Sequence, residues 1–168
     1  YYMDRLLLPN GDLMSHLFEA NVKTVYTTTR IDYEKNIFGC SDISLIKNLG
    51  SPNYILNLDN NETHYHSVFF YKEKFEKYKI LRQTHFIDNV FFYAVDTYKA
   101  LGNTDEHEII YRILQKYGCQ NNYAENDFIT LCDIVTNKIV IRKDVYLGVH
   151  YLKGMHPIKN TLPDFFVK

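Results

Sequence analysis

The sequence contains no tryptophan, few prolines and cysteines, and no excess of charge of either sign. Its 168 residues include 4 prolines, 7 glycines and 3 cysteines, and the formal net charge at pH 7 is -1. A pI near 6.7 provides no strong field that would attract nucleic acid, so we expect no nucleic-acid partner. No apolar run has the length of a transmembrane helix, so we expect no membrane span.

The three cysteines predict neither a metal site nor a complete set of disulfides. Cys40, Cys119 and Cys132 lack the spacing of metal ligands, and three thiols cannot all pair with one another. Cys132 alternates onto the apolar face of a predicted strand, where a free, buried thiol is the default. A Cys40–Cys119 disulfide stays open as an alternative for an exported protein. We expect no cofactor.

Aromatic side chains are what the sequence has in abundance, with 15 tyrosines and 11 phenylalanines. Since 46% of the residues are hydrophobic and 23% are charged, the composition is that of a folded globular protein. Tyrosine combines an apolar body with a polar tip, so a tyrosine-rich sheet suits either a half-wet core or a binding face. The length predicts a single domain, residues 1–168, or two small helix-plus-meander halves at about 1–102 and 103–168.

The chain is organised around residues 78–98, YKILRQTHFIDNVFFYAVDTY, in which two apolar runs flank Asp88-Asn89. This dipeptide readily takes the positive φ angles of a type I′ turn, so the segment is predicted to be a β-hairpin. Its two strands would pair in step without a break, as Ile87–Val90, Phe86–Phe91, His85–Phe92, Thr84–Tyr93 and Arg82–Val95. One face would carry Ile80, Phe86, Phe91, Tyr93 and Val95, and the other Leu81, His85, Ile87, Val90, Phe92 and Ala94.

Helical periodicity and capping residues predict two or three helices. Ser41 or Asp42 can cap a helix over residues 43–49 that ends at a glycine, and Thr104 or Asp105 can cap a helix over residues 103–118. A shorter helix is predicted at residues 13–20. Further strands are predicted at residues 22–30, 54–58, 64–71, 128–142 and 145–152. The expected fold is α+β, with an antiparallel sheet built from hairpins and two or three helices packed on one face.

The segment 128–142 is predicted to be a second hairpin that turns at Thr136-Asn137. A tight turn at this position would pair Ile134 with Ile139 and would place both side chains on the same face. The core face would then carry Phe128, Thr130, Cys132, Ile134, Ile139 and Ile141.

Residues 43–54, ISLIKNLGSPNY, combine a helix, a Leu-Gly C-cap, a proline and then an aromatic residue. The residues that carry this pattern are Leu49, Gly50, Pro52 and Tyr54. The segment resembles the helix–LG–x–P–strand entry of small cell-envelope modules, which include the SmpA/OmlA-type lipoproteins and the β-lactamase-inhibitor-protein-like fold. The resemblance implies a non-enzymatic envelope or secreted protein that acts by binding. It carries over no functional residue, and the compartment otherwise stays open.

The pair His64 and His66 is the sharpest chemical feature of the sequence. Alternate residues of a strand point to the same side, so both imidazoles could reach one metal ion. A zinc site needs a third ligand, and His85 in the central hairpin is the candidate. The competing interpretation is a pair of exposed histidines on an edge strand.

A group of tyrosines with one arginine is the main candidate for recognition. Arg82 lies among the aromatic residues of the hairpin with Tyr93 predicted beside it, and Tyr65 and Tyr71 share one face of the preceding strand. Tyrosine and arginine dominate the energetics of protein interfaces, so these four residues are the predicted binding residues. The competing interpretation is a strand pair covered by helices, with an arginine that snorkels at the margin of the sheet.

No catalytic motif is found in the sequence, which has neither a nucleophile elbow nor a phosphate loop. His150, His156 and Asp144 are suitable for acid–base chemistry by type only, because nothing in the sequence defines their geometry. We therefore predict a non-catalytic binding protein that recognises a protein or peptide partner through an aromatic sheet face. The alternative is a small-ligand or metal-dependent enzyme that uses the histidines between sheet and helix.

Overall fold

In the computed structural model, which describes residues 24–58, 65–75, 77–99, 101–119, 128–143 and 146–154, eight strands form one sheet. The elements are β1 (Thr24–Tyr26), α1 (Asp42–Leu49), β2 (Tyr54–Leu58), β3 (His66–Phe75), β4 (Tyr78–Ile87), β5 (Val90–Lys99), α2 (Asn103–Lys116), β6 (Phe128–Cys132), β7 (Lys138–Lys143) and β8 (Leu147–Leu152). Neither of the helices in these ranges is long and apolar enough to cross a membrane. The α+β class with a mainly antiparallel sheet is confirmed. The predicted helix at residues 13–20 lies outside the described residues.

The strands follow the order β1-β6-β7-β8-β5-β4-β3-β2 across the sheet. Two meanders lie side by side, β2 to β5 and β6 to β8, and the antiparallel pairing of β5 with β8 joins them. β1 pairs in parallel with β6 at the edge of the second meander, although it precedes the first meander in the chain. The two halves of the sequence thus contribute to one continuous sheet.

The central hairpin turns at Asp88-Asn89 as predicted, with φ angles of 52° and 66°. Phe86 pairs with Phe91, but His85 then pairs with Tyr93 because a β-bulge adds one residue to β5. The predicted pairs His85–Phe92, Thr84–Tyr93 and Arg82–Val95 are therefore wrong. The observed pairs are His85–Tyr93, Thr84–Ala94, Gln83–Val95 and Arg82–Asp96.

The bulge exchanges the faces of β5, since a shift of one residue moves each following side chain to the other side of the sheet. We name the two sides after residues of β4. The Phe86 face carries Ile80, Arg82, Thr84 and Phe86 of β4 with Phe91, Ala94, Asp96 and Tyr98 of β5. The His85 face carries Leu81, Gln83 and His85 of β4 with Tyr93, Val95 and Thr97 of β5.

Both faces of the sheet are buried at their centres. The main hydrophobic cluster includes Phe86 and Phe91 together with Leu45 from α1 and Ile109 and Leu114 from α2. A smaller cluster on the His85 face contains Val68, Phe70 and Leu81. Burial of these apolar side chains stabilises the fold.

The second hairpin has a different register from the predicted one. Leu131 pairs with Ile139, and Cys132 pairs with Lys138, so the strand ends before the turn. The Asp133 carboxylate accepts hydrogen bonds from the backbone N–H groups of Val135 and Asn137, at 3.0 and 2.9 Å. This side-chain cap closes a longer loop than a two-residue turn, and it leaves Ile134 77% exposed instead of in the core.

Local sequence signals predicted the boundaries of some helices and strands correctly and those of others not. β2 has the predicted bounds, and Ser41 caps α1 by accepting a hydrogen bond from Ser44 N at 3.1 Å. α2 begins after Gly102, whose N–H donates to Asp105 Oδ2 at 3.1 Å, so neither Thr104 nor Asp105 is the N-cap. All three cysteines are free thiols in the structure, and Cys132 is buried as predicted.

Candidate functional site

The four predicted binding residues do not share one surface. Tyr71 and Arg82 lie on the Phe86 face, and Tyr93 lies on the His85 face because of the bulge in β5. Tyr71 and Tyr93 are buried, whereas Tyr65 is half exposed. The Tyr71 hydroxyl donates to the carbonyl oxygen of Gly50 at 2.9 Å, which ties β3 to the end of α1. The prediction that Tyr93 lies beside Arg82 is wrong.

Arg82 belongs to a polar cluster with Tyr33, Glu34 and Asp96, in which Tyr33 and Asp96 are buried and Glu34 is half exposed. The Tyr33 hydroxyl donates to Asp96 Oδ1 at 2.6 Å, and Arg82 Nη1 lies 3.2 Å from Asp96 Oδ2 and 3.0 Å from Glu34 Oε1. Burial raises the pKa of Asp96 to about 6, although Arg82 and Tyr33 act in the opposite direction. Burial, the largest single effect, lowers the pKa of Arg82, but Asp96, Tyr33 and Glu34 together outweigh it and the pKa is raised. The cluster fastens the segment that contains Tyr33 to the sheet.

Two of the predicted metal ligands are in contact on the His85 face. His66 Nε2 lies 3.0 Å from His85 Nδ1, and His85 Nε2 lies 3.4 Å from Gln83 Oε1. Both contacts are satisfied when Nε2–H of His66 donates to His85 and Nε2–H of His85 donates to Gln83. His64, the remaining predicted ligand, lies outside the described residues.

A second pair on the same face joins β5 to β8. The Tyr93 hydroxyl lies 2.6 Å from His150 Nδ1, and the two rings are stacked with centroids 6.0 Å apart. The His85 ring lies 4.9 Å from the Tyr93 ring, so the two pairs are adjacent. We call His66, His85, Tyr93 and His150 the histidine row, which crosses β3, β4, β5 and β8.

The histidine row is uncharged at neutral pH. Burial lowers the pKa of His66 to about 3, and burial followed by the positive charge of Arg142 lowers the pKa of His150 to about 3. The pKa of His85 lies well below its ordinary value because of burial and then the neighbouring His66. Burial also raises the pKa of Tyr93, so its hydroxyl keeps its proton and can donate a hydrogen bond to His150. The row can therefore offer neutral donors and acceptors, but no resident charge.

The described residues hold no group of three His, Cys, Asp or Glu side chains that could bind a metal ion. The sequence pattern identified His66 and His85, but it did not identify the partnership of Tyr93 with His150. That contact depends on the pairing of β5 with β8, which are separated by 47 residues of chain between the ends of the two strands. No local sequence signal encodes such a register.

Three exposed apolar side chains lie on segments whose backbones meet at the tip of the central hairpin. Tyr65, Val90 and Ile43 are 48%, 41% and 65% exposed. Three segments meet there, because Asp88 N donates to Tyr65 O at 2.7 Å and Asp42 N donates to Asn89 O at 3.1 Å. We call these three side chains the hairpin-tip patch.

No protein-family model matches the chain, and neither the curated proteins nor the solved structures contain a match to it. The resemblance of residues 43–54 to the cell-envelope modules therefore stays a prediction.

Proposed function

We propose that the protein is a non-catalytic binding protein that recognises a protein or peptide partner through the hairpin-tip patch, with α1 and α2 covering the Phe86 face. The single observation behind this proposal is the assembly of Tyr65, Val90 and Ile43 from three segments of the chain. Contiguous exposed apolar side chains mark interaction sites in folded proteins.

The patch has a rigid framework beneath it. Tyr65 N donates to Asp88 Oδ1 at 2.8 Å, and an isolated bridge joins Ser41 to Val90. A partner therefore meets side chains whose backbones are already ordered, which reduces the entropy that binding has to overcome. Tyrosine is one of the residue types that contribute most to binding energy at protein interfaces.

The surroundings of the patch suggest the chemistry of its partner. Asp42 and Asp88 both lie beside it, and Asp42 starts α1 while Asp88 occupies the turn. Apolar side chains flanked by carboxylates complement a peptide with an apolar anchor and basic neighbours. Tyr71 and Tyr93 contribute to the core in this proposal, and Tyr65 is the predicted binding residue that stays on the surface.

A displayed library of random peptides tests the proposal. The wild-type protein is panned against the library, with counter-selection on the triple variant Ile43→Ser, Tyr65→Ser, Val90→Ser. We expect a peptide consensus with an apolar anchor that binds the wild type and loses at least tenfold in affinity for the triple variant. Circular dichroism establishes that the triple variant is folded.

The chain offers a matched control for this experiment. Ile134 and Val135 are also exposed, but they lie in the loop between β6 and β7. The double variant Ile134→Ser, Val135→Ser should bind the selected peptides within twofold of the wild type. Peptides that bind the triple variant and the wild type equally well would contradict the proposal.

The second candidate function is a small-ligand or metal-dependent enzyme that uses His66 and His85 with His64. The observation that favours it is the 3.0 Å contact between His66 and His85 on a buried face. Imidazoles held neutral are suited to metal ligation or proton transfer. Metal analysis of the purified protein and thermal shifts with zinc, nickel and a chelator test this function. Stoichiometric metal that is lost in His85→Gln would favour it over the binding protein.

A further inference from the structure

The His150 side chain points toward a basic region of the His85 face. Nδ1 of His150 contacts Tyr93, whose partner on β8 is Leu152, two residues after His150. Nε2 lies on the opposite side of the ring and is therefore directed toward Gly148, two residues before His150. His150 is only 7% exposed, and Nε2 forms no hydrogen bond with any described residue. In the tautomer in which Nδ1 accepts from the Tyr93 hydroxyl, the proton of the neutral ring resides on Nε2 and is available to an acceptor.

Gly148 provides the space into which Nε2 is directed. A Cβ atom at this position would lie 3.0 Å from His150 Nε2, closer than nine in ten Cβ contacts, so the imidazole would have to move by a few tenths of an ångström. Gly148 stands between Thr97 on β5 and Arg142 on β7, all three on the His85 face. Arg142 is close enough for its charge to lower the pKa of His150. We call Thr97, Arg142, Gly148 and His150 the Gly148 site.

A row of lysines borders the Gly148 site. Lys74 is paired with Lys79, and Lys79 is paired with Lys99, so three like charges stand opposite one another on adjacent strands. Like charges in directly paired positions destabilise a sheet, so this arrangement carries a free-energy cost. None of these lysines forms an ion pair with a described residue, and the described residues on this part of the face include no carboxylate. The cost would be offset by an anionic ligand.

We propose that the Gly148 site binds a phosphate group of a small anionic ligand, with Nε2–H of His150 and the guanidinium of Arg142 as donors. The Thr97 hydroxyl lies on the neighbouring strand as a further donor, and the lysine row supplies positive potential around the site. A phosphate fits better than a carboxylate, because its oxygens can accept from donors on three strands and its charge matches several cations. The proposal does not depend on the hairpin-tip patch, which lies at the other end of the central hairpin.

Nuclear magnetic resonance with pyrophosphate as the probe tests the proposal. Uniformly ¹⁵N-labelled protein is titrated at constant ionic strength while the ring nitrogens of His150 and the side-chain resonance of Arg142 are followed. We expect saturable shifts of both groups in the wild type. Arg142→Gln should raise the Kd at least tenfold, and Gly148→Ala should raise it at least fivefold because its Cβ displaces the imidazole.

The matched control is Arg112→Gln, which removes one cation from α2, where Arg112 pairs with Glu108. It should change the Kd less than twofold. Shifts that do not saturate, or equal weakening in Arg142→Gln and Arg112→Gln, would overturn the proposal as non-specific ion binding. The protein could instead sediment with phosphatidylserine vesicles and show no response to pyrophosphate. That result would overturn the proposal in favour of binding to a charged membrane surface. The wild-type titration decides the matter even where a variant fails to fold.

Discussion

The hydroxyl of Tyr93 and Nδ1 of His150 form a 2.6 Å hydrogen bond that links the two meanders of the sheet on its His85 face. Burial lowers the pKa of His150 to about 3, so the imidazole is neutral at physiological pH and Nδ1 can accept from the tyrosine hydroxyl. The bond orients the His150 ring and thus the direction of its other nitrogen. One contact therefore joins the architecture of the sheet to the chemistry of the Gly148 site.

Tyr93→Phe should lower the free energy of unfolding by about 1–3 kcal/mol, because it leaves the buried Nδ1 of His150 without its hydrogen-bond partner. Urea denaturation followed by circular dichroism measures the change. Tyr98→Phe is the matched control, since Tyr98 lies on the same strand and its hydroxyl makes no hydrogen bond with a described residue. Equal effects of the two substitutions would show that the Tyr93–His150 bond does not contribute to stability.

Gly50→Ala should lower the free energy of unfolding by about 1–3 kcal/mol through backbone strain alone. Gly50 ends α1 with φ 87° and ψ -178°, a conformation that is essentially restricted to glycine. An added Cβ would meet no atom within 4 Å, so steric clash cannot be the cause. Ser51→Ala, at the exposed neighbouring position, should have an effect within 0.5 kcal/mol. Thermal and urea denaturation of both variants check the prediction, and a Gly50→Ala protein as stable as the wild type would contradict it.

Local sequence signals predicted the elements that local chemistry forms. Asp88-Asn89 defined the turn of the central hairpin, and Ser41 and Gly50 marked the two ends of α1. The pairing failed beyond Phe91 because Phe92, Tyr93 and Ala94 are all apolar, so no contrast in polarity reveals the extra residue of the bulge.

The remaining features depend on contacts between distant parts of the chain. The parallel pairing of β1 with β6 and the contact of Tyr93 with His150 are set by tertiary packing, which sequence periodicity does not encode. The loop after β6, in contrast, could have been predicted from local sequence, because an aspartate such as Asp133 that precedes a loop can cap it through its own side chain. Its bonds to Val135 and Asn137 were a missed local signal, and they explain why Ile134 is exposed.

Asp96→Asn should destabilise the protein far more than Glu34→Gln, although both carboxylates contact Arg82. Asp96 is 2% exposed and pairs with Arg82 at 3.2 Å, whereas the Glu34 side chain is 48% exposed. Loss of one partner of a buried ion pair costs about 3–5 kcal/mol, while an exposed pair contributes about 0–1 kcal/mol. Urea denaturation at pH 7.5 measures both values. Similar losses in the two variants would show that Asp96 does not stabilise the cluster as a buried partner.

Acid should destabilise the protein steeply below about pH 6.5, because three buried histidines must stay neutral in the folded state. The pKa values of His66 and His150 are lowered to about 3, and that of His85 is also lowered, whereas all three bind protons near pH 6.5 once unfolded. The unfolded state thus binds up to three more protons at these sites. Asp96 acts in the opposite direction, since its folded-state pKa is raised to about 6 and it binds one proton in the folded state below that pH.

Near pH 5 the unfolded state therefore binds about two protons more than the folded state. The free energy of unfolding should fall by about 2.7 kcal/mol for each unit by which the pH is lowered. Urea denaturation at intervals between pH 7 and pH 4.5 measures this slope. His66→Gln removes one of the three histidines and should reduce the slope to about half. Asp96→Asn removes the proton that the folded state binds at Asp96, so the slope should increase by half. The change is measured relative to the stability of this variant at pH 7. A wild-type stability that is constant from pH 7 to pH 5 would show that the histidine row can be protonated within the folded protein.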